Sequence, residues 1–134
     1  MTRTADHTIV IADTPPSVNT YAHAHWRRYH GIKKTWQATF AEELMVLRRE
    51  LGRASRVHAT ASLRFPQRRR RDEGNYRAAL EKALGDALVQ GGYLSDDTPD
   101  QFTFGAVTFE EDRGDNRTTV TLRWTKEEAN DQDG

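Results

Sequence analysis

Between Val57 and Phe65 every second residue is apolar: Val57, Ala59, Ala61, Leu63, Phe65. Side chains alternate faces along a strand, so this spacing predicts a strand with one buried face. Pro66, which has no N–H for a ladder, ends it. The period then changes. Tyr76, Leu80, Ala83, Leu84 and Ala87 recur at three- and four-residue intervals, predicting a helix over Glu73 to Val89 that Gly91-Gly92 terminates. A strand that must cover one face and a helix that must bury one stripe restrict the chain to layered packing of helix on sheet.

The rest of the chain fits that frame. His7 to Ala12 reads as a short strand, and Asp13 to Gly31 as a long loop broken by Pro15-Pro16 and Asn19. Lys33 to Leu51 reads as an amphipathic helix with Trp36, Phe40, Leu44, Leu47 and Leu51 on one face and Gly52 as its stop. Tyr93 to Asp100 is a turn-rich connection. Gln101 to Phe109 and Arg117 to Trp124 read as strands joined by a hairpin turn at Asp112 to Asn116. The order β-α-β-α-β-β implies one α+β domain over residues 1–125, with helices on one face of a small mixed sheet. Residues 126–134, acidic and without an apolar side chain apart from one alanine, read as a disordered tail. With 30% charged residues and a mean hydropathy of −0.86, the core is expected to be thin, without a large buried pocket.

Disulfides and cysteine-based zinc sites are excluded, because the chain has no cysteine. No apolar run approaches membrane-spanning length and the N-terminus lacks the apolar stretch of a signal peptide, so the reading is a soluble, intracellular protein without a membrane partner. Net charge is zero, but unevenly spread. Residues 1–71 hold 14 Lys and Arg against 5 Asp and Glu, and residues 72–134 hold 6 against 15. The sign turns over inside Arg68-Arg69-Arg70-Arg71-Asp72-Glu73-Gly74-Asn75. Guanidiniums fork onto phosphate oxygens, and clustered carboxylates suit a hard cation such as Mg²⁺. An enzyme that cuts nucleic acid needs both side by side. A solvated charged loop is the alternative.

On a helical wheel Asn75, Lys82 and Asp86 share one stripe, about 120° from the apolar one. Asp72 falls at the start of that helix and Asp96-Asp97 follow its glycine turn, so the three segments can converge around one cation. Repulsion between such carboxylates is relieved by a metal, and Lys82 can offset charge that builds up on a phosphate under attack. Each residue also has a structural reading: Asp72 as a helix cap, Lys82 and Asp86 as an i,i+4 surface pair, Asp96-Asp97 as turn formers. A histidine metal site at His23, His25 and His30 lacks a framing element, and no phosphate-cradling glycine loop is present.

The stretch RRRRDEGN…EKALGDAL…GGYLSDD resembles the RusA-type Holliday junction resolvases, whose signature runs from an Arg-rich loop through D-x-D-N, a helix with K-x-x-x-D-x-L and a Gly turn to Asp-Asp. Pro15-Pro16-Ser17-Val18-Asn19 resembles that family's N-terminal P-P-S-x-N loop. The resemblance covers about Ile9 to Trp124. It implies a small α+β homodimer, bacterial or phage-type and cytoplasmic, that cuts four-way DNA junctions in recombination and repair with Mg²⁺, or Mn²⁺, as cofactor. Asp72 matches the first acid of D-x-D, Asn75 its Asn, and Lys82, Asp86 and Leu88 the helix motif. Asp96 and Asp97 match the closing pair, with Asp97 the expected ligand. The implied catalytic set is Asp72, Glu73, Lys82 and Asp97, and the implied metal set Asp72, Glu73, Asp96 and Asp97. Asn75 and Asp86 support them. Arg27, Arg28, Lys33, Lys34, Arg68, Arg69, Arg70 and Arg71 would hold branched DNA.

Two departures stand out. Gly74 replaces the second acid, for which neighbouring Glu73 or, further along the helix, Glu81 can substitute. The family's lysine position is Ala78 here, and Lys82 lies one turn later, about 6 Å along the axis. The departures leave a second reading, a RusA-like protein that binds branched DNA without cutting it. In that second reading the aromatic residues of the Asp13 to Gly31 loop, which holds Tyr21, Trp26 and Tyr29, are candidates to stack on opened bases, with packing against the first helix as the alternative for Trp26 and Tyr29.

Overall fold

The computed structural model describes residues 1–16, 26–67 and 71–127. The elements are β1 (Thr2–Ile11), α1 (Trp26–Val46), α2 (Arg48–Leu51), β2 (Arg56–Arg64), α3 (Gly74–Gln90), β3 (Phe102–Phe109) and β4 (Arg117–Glu127). The four strands form one mixed sheet in the order β1-β4-β2-β3. β4 runs antiparallel to both β1 and β2, and β3 runs parallel to β2. The expected α+β order is the observed one, with the one-turn α2 added.

Alternation decides which face of the sheet is buried. Ile9 and Ile11 of β1, Val57, Ala59, Ala61 and Leu63 of β2, and Val120, Leu122 and Trp124 of β4 all point into one cluster. Phe40 and Leu44 of α1 and Leu80, Leu84 and Leu88 of α3 complete it, all fully buried. Each such side chain contributes about 1.5–3 kcal/mol relative to exposure. The opposite sheet face is polar. Its rungs run Thr8, Thr121 and Thr60, then Val10, Thr119 and Ser62 across β1, β4 and β2.

Four differences from the sequence reading have physical causes. α1 begins at Trp26, not at Lys33. Helix propagation adds one hydrogen bond per residue, so it runs back through Gly31, whose penalty of about 1 kcal/mol it absorbs. The same helix breaks at Leu47, whose backbone (φ −92°, ψ 2°) leaves the helical region before α2 resumes. Gly52 then ends α2 with φ +61°, a conformation that suits glycine.

The third difference is the hairpin. β3 and β4 are not neighbours, because β2 lies between them. Residues 110–116 must therefore cross roughly 10 Å, two strand spacings. They do so over the end of β2: Glu110 N–H donates to Leu63 O at 2.8 Å, and Arg64 Nε donates to Asp115 O at 3.0 Å. Fourth, β4 continues through Lys126 and Glu127, paired with Arg3 and Thr2, so these two residues belong to the sheet. Residues 128–134, the remainder of the expected tail, lie outside the described residues. No helix among the described residues is long and apolar enough to cross a membrane.

Tyr93 fastens the layers. Buried, it donates its hydroxyl to Leu44 O at 3.2 Å, near the end of α1, and its ring meets Trp124 edge-on at 5.6 Å between centroids.

Candidate functional site

The parallel pair β2 and β3 with α3 between them forms a βαβ unit, and the site residues lie on α3 and on the two loops that flank it. At the start of α3, Asp72 Oδ1 accepts the Gly74 N–H at 3.2 Å, and Asp72 O accepts the Asn75 N–H at 3.1 Å. Asp72 therefore does what a capping aspartate does, satisfying a donor that the first turn leaves free. Glu73 turns elsewhere. Its Oε1 accepts the Val107 N–H at 3.4 Å and lies 3.9 Å from Arg77 Nη1.

Val107 follows a bulge. β2 and β3 pair Ala59 with Phe104 and then Ala61 with Val107, so β3 carries an extra residue at Gly105-Ala106. Bulges re-aim the strand locally, and here the Val107 N–H on the sheet edge meets the Glu73 carboxylate.

One turn and more further along, Ala78, Glu81 and Lys82 of α3 line a cleft of about 270 Å³ with Asp97, Pro99 and Phe102. Asp97 and Lys82, both expected site residues, thus share one cavity. Glu81, the alternative to the missing acid, joins them. Gly85 lets the Phe102 ring pack close against the helix beside Asp97. A Cβ there would stand 3.6 Å from Asp97 Cβ and 3.2 Å from the Phe102 ring. The sequence reading assigned Gly85 nothing, although a glycine inside a helical stripe costs about 1 kcal/mol and signals a close approach. Gly85→Val is expected to lose about 1–3 kcal/mol in urea melts, because its γ-carbons crowd Phe102. Gly85→Ala should stay within about 1 kcal/mol of wild type, since better helix propensity offsets the tight contact.

Asp86 forms a bridge. Its carboxylate lies 3.2 Å from Lys82 Nζ and 3.4 Å from Lys33 Nζ, so it ties α3 to α1 and takes up two of the expected basic residues. The i,i+4 pair read from the sequence is thus present and extended across helices. Asn75 lies on the same stripe, half-buried. Asp96 Oδ1 accepts the Asp97 N–H at 2.8 Å, and Asp96 N–H donates to Gln101 Oε1 at 3.2 Å, which sets the turn that presents Asp97.

The structure thus gathers Asp97, Lys82 and Glu81, and leaves Asp72 and Glu73 at the helix start, engaged with backbone N–H groups. Among the described residues no group of three or more His, Cys, Asp or Glu side chains lies close enough to hold a metal. Mg²⁺ is usually held by one or two carboxylates, with water and substrate phosphates completing its shell. Glu81 and Asp97, exposed and facing one cleft, fit that donor chemistry.

Of the expected phosphate contacts, Lys34 is exposed on α1. Arg71 lies with its guanidinium 3.8 Å from the centre of the Phe65 ring. Arg27 and Arg28 fall in the first turn of α1, with their side chains outside the described residues, as are those of Trp26 and Tyr29. Arg68, Arg69, Arg70, Ser17 to Asn19, Tyr21, His23 and His25 also lie outside them. His30 is exposed on α1. No protein-family model matches the chain, and no curated protein matches it.

Proposed function

We propose that the protein is a Mg²⁺-dependent, structure-selective endonuclease that cuts four-way DNA junctions. The observation that carries the reading is the cleft in which Asp97, Glu81 and Lys82 meet on one side of α3. Two carboxylates offer a hard cation oxygen ligands, and an ammonium beside them attracts phosphate. When bound there, Mg²⁺ would supply Lewis-acid activation of the phosphodiester and of water. The chain's own residues do the rest. Asp97 and Glu81 hold the cation, and Lys82 offsets negative charge on the phosphoryl oxygens as attack proceeds. Asp86 positions Lys82 from behind, at 3.2 Å. Asp72 shapes the start of the helix. The basic first half of the chain, +9 over residues 1–71, gives backbone contacts that position DNA without reading sequence. A two-fold dimer would match the two-fold symmetry of a junction.

A second reading is a protein that binds branched DNA and leaves it intact. It is favoured by Gly74 in place of an acid, by Ala78 in place of the family's lysine, and by Glu73 turned onto the Val107 N–H.

The experiment is cleavage of a labelled four-way junction across a series of Mg²⁺ and Mn²⁺ concentrations, with linear duplex as control. Paired, metal-dependent nicks in the junction alone are expected. Salt-sensitive junction binding with no nicks at any metal concentration would replace the first reading by the second.

A further inference from the structure

A second cleft, of about 360 Å³, is formed by the ends of β2 and β3 and the crossing connection. That places it at the small end of ligand clefts, which run from roughly 300 to 1,000 Å³. Phe65, Arg71, Phe109, Glu110, Glu111 and Arg113 contribute to its lining. None of them belongs to the Asp97 cleft.

Three features of this cleft point to one ligand chemistry. The first is an aromatic cluster capped by a guanidinium, its rings tilted 45–78° to one another. Phe65, Tyr76 and Phe109 form a mutual ring cluster with centroids 5.5–6.3 Å apart, and Phe65 and Phe109 keep part of their surface open. Arg71 lays its planar guanidinium over the Phe65 ring, 3.8 Å from its centroid, and is anchored by Nη1 donating to Gln67 O at 3.1 Å. Aromatic rings and guanidinium planes are the surfaces on which unpaired bases stack.

The second feature is an oriented acceptor. Arg117 Nη2 donates to both Glu110 oxygens, at 3.1 and 3.0 Å, which fixes the carboxylate at the wall while leaving lone pairs free. A fixed carboxylate is matched by a fork of two parallel N–H donors, and among the bases guanine presents one at N1 and N2. The third is Arg113, exposed at the rim and suited to a phosphate.

We infer that this cleft binds a single unpaired nucleobase, guanine in preference to the others, by stacking on the Arg71 guanidinium where it overlies Phe65, beside Phe109, with its donor edge on Glu110 and its phosphate at Arg113. The site stands on its own lining and does not require cutting at Asp97. Its ligand is either a free guanine nucleotide or an unpaired guanine in a strand, and the shared chemistry is the base itself.

The test is calorimetric titration of the full chain with GMP, AMP, CMP and TMP, and with a duplex carrying one extrahelical guanine beside its fully paired counterpart. GMP is expected to bind at least about fivefold more tightly than the other three, the margin of one good bidentate contact. Competition between GMP and the bulged duplex assigns both sources. Binding of the bulged duplex alone, lost in the Glu110 variant, assigns the base in a strand.

Glu110→Gln keeps an oxygen for Arg117 but presents an amide that pairs with adenine, so preference should move from GMP to AMP, which a simple loss of folding would not produce. Arg113→Ala, a change at an exposed residue, should erase the advantage of GMP over guanosine. Equal binding of all four nucleotides, or none by any of them or by the bulged duplex at millimolar concentration, overturns the inference. Junction cleavage is scored separately, so an inactive Asp97 cleft and an empty base cleft give different results.

Discussion

Asp97→Asn is expected to reduce metal-dependent junction cleavage by at least about 100-fold, the scale at which loss of a metal-holding carboxylate acts. Junction binding in a gel-shift assay should stay within about twofold, because the proposed function draws its contacts to the phosphate backbone from the basic residues. Stability should also hold within about 0.5 kcal/mol. Asp97 is exposed and its neighbour Asp96 carries the hydrogen bond that shapes the turn. Two companion variants locate the site. Glu81→Gln should also depress cleavage, whereas Asp72→Asn should leave it largely intact, because asparagine caps a helix as well as aspartate does. The reverse pattern, with Asp72→Asn inactive and Glu81→Gln active, would move the metal to the start of α3 and refute the cleft assignment.

The largest stability effect is expected at Trp124. The ring is 1% exposed in the middle of the sheet, edge-on to Tyr93 at 5.6 Å and to His7 at 6.4 Å. Trp124→Ala should cost about 3–5 kcal/mol, a large part of the ~5–15 kcal/mol that holds a domain of this kind together. Trp124→Phe should cost far less than its lost volume suggests. Among the described residues the buried indole Nε1 has no hydrogen-bond partner, and removing an unsatisfied donor returns part of the loss. Equilibrium urea unfolding measures both costs. A Trp124→Phe loss above about 2 kcal/mol would mean that the indole N–H is hydrogen-bonded in the folded protein.

Periodicity made most of this fold legible. The alternating Val57 to Leu63 and the stripe from Tyr76 to Ala87 are buried as their spacing requires, because burial of one face is what imposes such spacing. Local signals failed where a long-range choice decided the outcome. Asp112 to Asn116 has the composition of a tight turn, yet the chain uses it to step across β2. A turn's residues set its local bend and not which strand lies beside it. In the site, the helix wheel correctly placed Lys82 beside Asp86, a relation internal to one helix. It did not show that Lys33 would join them, or that Asp97 would meet Glu81 and not Asp72. Those depend on how α1 and the loop after α3 pack, which spacing within one helix does not record.

The pairing of β1 with β4 alone has a kinetic consequence. The first strand has its hydrogen-bonding partner in the last, with Thr2 opposite Glu127 and Ile11 opposite Thr118. During synthesis β1 therefore waits, with both edges open, until β4, which begins only at Arg117, has emerged. Closing so long a loop comes before any reward from the contact, which slows folding and leaves an unpaired strand available to neighbouring chains. The polar outer residues of β1, Thr2, Thr4, Asp6 and Thr8, limit the stickiness of that waiting strand.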